Sequence, residues 1–453
     1  MKEKAFQENM MGTRPVLPLL LTMALPPMIS MFIQSMYNVV DSIFVARLSE
    51  EALTAVSLVY PLQNLSLAVS AGLGIGINAS IAMSLGEGNR KRAEEAIEHG
   101  MLLSLLHSLG FVLIGLFLSR PFLSLFTQDQ HILDMAVLYS VIVITLTFGS
   151  HFHIAIEKIF QATGSMVIPM LLQGAGALVN ILLDPILIFG LFGLPAMGVA
   201  GAALATVIGQ MTACILAFWT IQKQELRIPF RRFAISRRMI AGIYRVALPS
   251  ALMMAMPSAL VGILNGILSG MAHAATSIAV LGMYFKMQSF VNMPANGVIQ
   301  ALRPICSYNY GAGRTDRLRS AVHAAMWVIG FIMALGTLLF CGIPGTVMAL
   351  FDAQPLLIQM GSQALRIIGI SFLLSTPAQV YSGTFEALGM GAQSLTLSLL
   401  RQMSILPLAA FLLSRFLGAA GVWSAFPVAE GAAMVCAVVL WRYYGKRMGI
   451  LKK

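Results

Sequence analysis

The sequence predicts an all-α integral membrane protein of twelve transmembrane helices, arranged as two parallel-repeat six-helix lobes about a central site. Three observations carry this. Hydrophobic residues fill 58% of the 453 positions and charged residues only 10%, against roughly 25% charged in an average soluble domain. Uncharged stretches of the length needed to cross a bilayer, about 20 residues, recur along the whole chain. Finally, the chain contains itself twice: at one constant shift, Gly86, Gly88, Arg92, Ala96 and Met101 fall on Gly311, Gly313, Arg317, Ala321 and Met326. Phe160, Ala162 and Gly164 fall on Phe385, Ala387 and Gly389 at the same shift, and Ala24-Leu25-Pro26 matches Ala247-Leu248-Pro249 at a nearly equal one.

Taken in order, with Gly, Pro and charge clusters as ends, the spans are expected at 16–46, 53–84, 93–119, 131–160, 167–190, 197–221, 239–270, 274–307, 318–343, 356–387, 393–414 and 418–441. The first follows a short basic segment without a small-residue cleavage site, so it reads as a retained span rather than a signal peptide. Pro26-Pro27 removes backbone donors inside it and is expected to bend it. Six spans per repeat is an even number, so both halves enter from the same side. That gives an amino-terminal lobe (1–221), a linker (222–238) and a carboxy-terminal lobe (239–453). Ile228, Phe230, Phe233 and Ile235 among six basic residues suggest that the linker lies on the membrane surface as an amphipathic stretch.

With both termini cytoplasmic, the inner segments hold 21 Lys and Arg and the outer segments only Arg47, Arg120 and Arg415. This asymmetry sets the orientation in a cell membrane. It also accounts for the net charge of +11 without nucleic acid. Cys214, Cys306, Cys341 and Cys436 are isolated in apolar segments, and His107, His151, His153, His273 and His323 show no ligand spacing. Neither a metal nor a cofactor is therefore expected, nor a nucleophile–base constellation of an enzyme.

The polar residues inside the spans carry the function. Val179-Asn180-Ile181-Leu182-Leu183-Asp184-Pro185 sets a carboxylate in an apolar helix, and no Asp, Glu, Lys or Arg follows Asp184 until Lys223. A charge at the bilayer centre costs at least roughly 2.5–3.5 kcal/mol, so such residues face a cavity and serve a purpose. Asn180 lies one turn earlier on the same face. The first span carries Ser30, Gln34, Asn38 and Asp41 on one face, the fifth Gln173, Ala177, Asn180 and Asp184, and the sixth Thr206 and Gln210. If these three helices pack together, carboxylates, amides and a hydroxyl converge. Such a cluster binds Na+ through about five or six oxygens, or holds a proton between two carboxylates. The plainer alternative is interhelical hydrogen-bond glue. The repeat argues against it for the acids: Asp41 maps near Leu264, Asn265 and Gly266, and Asp184 near Pro407, Leu408 and Ala409. The second half keeps the scaffold and omits the acid pair, so cation coupling is expected in the amino-terminal lobe alone. Glu430 in the twelfth span pairs by repeat with Gln210 and is the candidate for a second buried acid. Methionines concentrated on spans 7 and 8, among them Met253, Met254, Met256, Met283, Met287 and Met293, provide soft, adaptable apolar surface.

Tyr37-Asn38-Val39-Val40-Asp41, Asn180…Asp184-Pro185, the turns Gly86-Glu-Gly-Asn and Asn309-Tyr-Gly-Ala-Gly313, Phe160-Gln-Ala-Thr-Gly164, Leu400-Arg-Gln402 and Phe426-Pro-Val-Ala-Glu430 resemble the multidrug and toxic compound extrusion (MATE) family, and within it the DinF-like branch. The resemblance covers essentially the whole chain. It implies a V-shaped central cavity and efflux of small organic, often cationic or amphipathic, compounds in exchange for H+ or Na+, by a monomer. The cation site it implies is Asp41, Asn180 and Asp184, with Thr206 as the sixth-helix hydroxyl. The expected substrate-facing residues are Gln34, Tyr37, Asn38, Gln63, Met256, Met283, Lys286, Met287 and Arg303. Two positions depart from the family pattern: Arg303 stands where Gln-Pro is usual, and Glu386 stands where Gln is usual. A positive Arg303 near the cavity extends the expected substrates to anionic or zwitterionic compounds. The rival readings are a flippase of lipid-linked precursors or a metabolite exporter in the same superfamily. The major facilitator class is disfavoured by its missing acidic-basic loop signature.

Overall fold

The computed structural model describes residues 9–224, 226, 228, 235–349 and 354–451, and the regular elements among them are all helical. The long helices are α1 (Val16–Leu48), α2 (Glu50–Gly86), α3 (Arg90–Leu123), α4 (Gln130–Thr145 with Phe148–Ala162), α5 (Val167–Phe189), α6 (Val199–Ile221), α7 (Arg237–Ser269), α8 (Ala274–Gly311), α9 (Thr315–Gly342), α10 (Pro355–Ala387), α11 (Gly391–Leu417) and α12 (Ala419–Arg447). Among the described residues, ten of these are singly long and apolar enough to cross a membrane, and the two halves of α4 together make an eleventh. The twelfth is α8: 38 residues long, but diluted in hydropathy by Lys286, Gln288, Asn292, Asn296, Gln300 and Arg303.

Every expected span coincides with one of these helices. Among the described residues one expected span is broken, α4, where a single helix is expected over 131–160. It is interrupted at Leu146-Thr147, and its halves meet at 42°. No proline marks the break. Instead Gly149, just past it, packs against the α6 backbone so closely that a Cβ there would meet the Met211 nitrogen at 2.9 Å. A bend at a Gly-Ser pair admits this approach. α1, by contrast, stays helical through Pro26 and Pro27.

The chain divides into two compact units, Ile29–Ala251 and Met1–Met28 with Leu252–Lys453. The two boundaries, after Met28 and after Ala251, fall at the same place relative to the repeated Ala-Leu-Pro motif, just beyond Pro26 and Pro249. The repeat is also visible in the turns. Gly88 and Gly313 both adopt φ +70°, Gly164 and Gly389 adopt φ +91° and +75°, and Gly198 and Gly418 adopt φ +55° and +59°. Counting forward equally from the last pair aligns Gln210 with Glu430. A positive φ costs glycine nothing and other residues considerably more. Of the linker, Ile228 is buried and Ile235 exposed; Phe230 and Phe233 lie outside the described residues.

In the first unit, Ile29–Ala251, α2 runs through the core. Its Gly72 and Gly76 lie one turn apart and admit the α7 backbone, such that a Cβ would meet the Ala247 oxygen at 2.7 Å and the Ile243 oxygen at 2.5 Å. Small residues at this spacing let helices approach where apolar burial gives no net drive. We expect Gly76→Leu to lower stability by about 1–3 kcal/mol, the usual cost of overpacking, measured as a lower melting temperature of the purified protein in detergent. In the second unit, the short helix Met10–Thr13 is held by Asn309 Nδ2, which donates to the Met11 oxygen at 3.0 Å. The Arg314 guanidinium also donates, to the Gly12 oxygen at 2.7 Å. Stacked Tyr381 and Trp441, with centroids 5.1 Å apart, join α10 to α12.

Candidate cation site

The site is assembled in the unit Ile29–Ala251 from five helices. A buried apolar cluster of Val45, Ala52, Val59, Ala136, Val143, Ile188 and Ala202 ties the ends of α1, α2, α4, α5 and α6 together. The small residues on α6 let α5 close upon it: Gly176 and Gly209 face each other so tightly that a Cβ on either would meet the other's backbone oxygen, at 2.8 and 2.7 Å. Asn180 lies against that same glycine contact.

Asp184 is completely buried and Asn180 nearly so. Asn180 Nδ2 donates to Asp184 Oδ1 at 3.4 Å, as their one-turn spacing predicts. Asp41 on α1 lies within electrostatic reach of Asp184, and Tyr37, one turn before Asp41, feels both carboxylates. Thr206 on α6 shares a hydrogen bond with the Tyr139 hydroxyl, to which Gln63 Nε2 donates at 3.4 Å. Tyr139 in turn senses the Asp41 charge. The expected residues Tyr37, Asp41, Gln63, Asn180, Asp184 and Thr206 are therefore brought into one neighbourhood.

What distinguishes this neighbourhood is its oxygens. Asp41 Oδ1, Asp184 Oδ2, Asn180 Oδ1 and Gln210 Oε1 are buried and have no hydrogen-bond partner among the described residues. Neither Asp41 nor Asp184 has an ion-pair partner among them. Buried acceptors are normally satisfied, and a buried carboxylate without a counter-charge is strongly disfavoured. Carboxylate, amide and hydroxyl oxygens are also the donor set a hard cation takes.

Tyr139 is the member that sequence reading missed. An aromatic residue in an apolar run reads as core, and Tyr139 is indeed 2% exposed. The signal was its hydroxyl, which needs a partner wherever it is buried. Asn38, also expected here, is exposed, and its backbone oxygen accepts from the Ser42 hydroxyl. Gln34 is half-buried on the same helix.

The remaining expected residues belong to the other unit. Met256 and Met287 are buried, Met283 half-buried and Lys286 exposed. Arg303 does not present a free charge: its Nε and a terminal nitrogen bond Glu386 Oε2 at 2.8 and 2.6 Å. The two departures from the family pattern are one ion pair between α8 and α10, and the substrate reading given to Arg303's charge does not follow from it.

Comparison with known proteins agrees with this architecture. The MatE family model matches residues 26–186 and 249–411, which are the two repeats. The probable multidrug resistance protein YoeA of Bacillus subtilis is 24% identical, with 94% of each chain covered. The FAD transporter of Shewanella oneidensis is 23% identical, with 91% of this chain and 92% of that protein covered. A solved structure described as the outward-facing conformation of a multidrug resistance MATE family transporter is 25% identical, superposes with a TM-score of 0.89 and covers all of both chains. The chain belongs to the MatE family, the multidrug and toxic compound extrusion transporters of the cell membrane.

Proposed function

We propose that this chain is an antiporter of the DinF-like branch that exports small organic compounds in exchange for inward H+ or Na+. The cation is bound by Asp41, Asn180, Asp184 and Thr206. The observation that carries this reading is the pair of carboxylates without a counter-charge among the described residues, Asp41 and Asp184, with oxygens around them that have no partner among those residues. The first unit concentrates these acids, and the second has no equivalent of them in sequence. Uptake of a cation neutralises the cluster and changes the relative stability of the states open to either side. Exchange follows because a ligand shifts an equilibrium by its differential affinity for the two states. The lobes are 1–221 and 239–453, both termini are cytoplasmic, as the 21 inner basic residues support, and the monomer is the working unit.

The test is ethidium efflux from proteoliposomes under separately imposed sodium and proton gradients. One of the two gradients is expected to drive efflux, and efflux indifferent to both overturns the reading. The similarity to a protein named as an FAD transporter favours a second reading, export of one specific metabolite by the same coupled mechanism. In that case ethidium is a poor substrate, and the gradient dependence appears only with the metabolite.

A further inference from the structure

The unit Met1–Met28 with Leu252–Lys453 carries its own charged site, at the place where the other unit brings two glycines together. By the repeat, Arg401 on α11 corresponds to Gly176, and Glu430 on α12 corresponds to Gln210, the neighbour of Gly209. In place of the close glycine contact stands an ion pair, Arg401 to Glu430 Oε1 at 3.0 Å. Arg401 lies well inside α11, about ten positions from its nearer end at Gly391. At 1.5 Å per residue the pair is about 15 Å from that helix end, about half the thickness of a bilayer's hydrocarbon core.

Two further features set this pair apart from a structural one such as Arg303–Glu386. First, it is only partly satisfied. Arg401 gives one guanidinium nitrogen to Glu430 and has no other partner among the described residues, while its side chain is 26% exposed. Glu430 Oε2 and the hydroxyl of Tyr284, which is fully buried and senses both charges, are also unpartnered. A guanidinium at this depth with exposed donors faces a polar volume rather than lipid. Second, α11 changes winding at this point. Leu400–Ile405 is a π-helical turn, and α5 has no such turn. Single π-turns within α-helices occur frequently at functional sites. Three rings, Tyr284, Phe285 and Phe426, with centroids 5.2–6.3 Å apart, wall the site.

The charge carried within the spans of this unit has the opposite sign to that of the cation site. On the spans of this unit, the charged residues deepest within their helices are Lys286, Arg366, Arg401 and Glu430: three basic and one acidic. We propose that the Arg401–Glu430 pair is a substrate-recognition site for the anionic group, carboxylate or phosphate, of a planar organic compound. Glu430 holds the guanidinium in place, and the spare N–H donors of Arg401 bind the anion. A planar, multi-donor guanidinium is suited to such oxyanions, and the aromatic wall beside it accepts an apolar body. The proposal rests on the reading of this chain as an exporter of organic compounds, but not on which ion drives it.

The test uses two fluorescent probes of opposite charge, fluorescein as an aromatic carboxylate and ethidium as an aromatic cation, binding to the full-length protein in detergent. The wild type is expected to bind fluorescein saturably. The double variant Arg401→Gln/Glu430→Gln removes both charges together, so that no uncompensated one is left buried, and should lower the fluorescein-to-ethidium affinity ratio about tenfold with an unchanged melting temperature. Arg401→Lys keeps the charge but loses the fork, and should fall between the two. No saturable fluorescein binding by the wild type, or an unchanged ratio in the double variant, overturns the proposal. Asp184→Asn separates this reading from the coupling model: it is expected to bind fluorescein normally and fail only to transport it.

Discussion

Asp184→Asn is expected to reduce drug resistance in an efflux-deficient host to the level of cells without the transporter, while the purified variant melts no lower than the wild type. The two halves of this result diverge for a physical reason. The carboxylate is fully buried, and its partner among the described residues is an amide 3.4 Å away rather than a cation. Replacing it with an isosteric amide removes a charge whose burial costs several kcal/mol and leaves volume and helix unchanged. A residue kept for stability would show the reverse, lower melting with transport scaled to the folded fraction. Asp41→Asn should behave in the same way, because the two acids act on one cation. If both variants retain full resistance, the coupling model is wrong. The measurements are resistance, membrane abundance and melting temperature on the same variants.

Much of this molecule is legible without coordinates, for reasons that differ by level. Spans are set by the thickness of the bilayer and the cost of charge within it, so composition alone places α5 and α6 on either side of the loop at 190–198. The break in α4 was not legible, because it arises from the approach of α6 to Gly149 and not from a proline. Asp41, Asn180 and Asp184 were legible because a polar residue in an apolar helix has few inexpensive explanations. Tyr139 was hidden because its ring is at home in a core and only its hydroxyl belongs to the site. Arg303 and Glu386, on helices far apart along the chain, read as two separate anomalies, since nothing in a single sequence says that they touch.

That last pair yields the second large expected effect. At the same repeat positions the other unit carries amides: Asn78, the mate of Arg303, donates from α2 to the Lys158 oxygen on α4 at 3.1 Å, and Gln161, the mate of Glu386, donates to Glu157 one turn earlier on its own helix at 2.7 Å. In this unit charge has replaced amide on both sides of the α8–α10 contact. Glu386→Gln strands a mostly buried guanidinium, and breaking a buried pair from one side costs about 3–5 kcal/mol. The single variant should therefore melt far below the wild type and accumulate poorly in the membrane. Arg303→Gln/Glu386→Gln removes both charges and leaves amides at both positions, as the other repeat has. Replacing a buried pair entirely is often neutral or stabilising, so the double variant should recover most of the lost stability. A double variant as unstable as Glu386→Gln alone would mean that Glu386 acts through something other than Arg303. Recovery of transport together with stability would further show that this pair holds two helices together and takes no part in binding substrate.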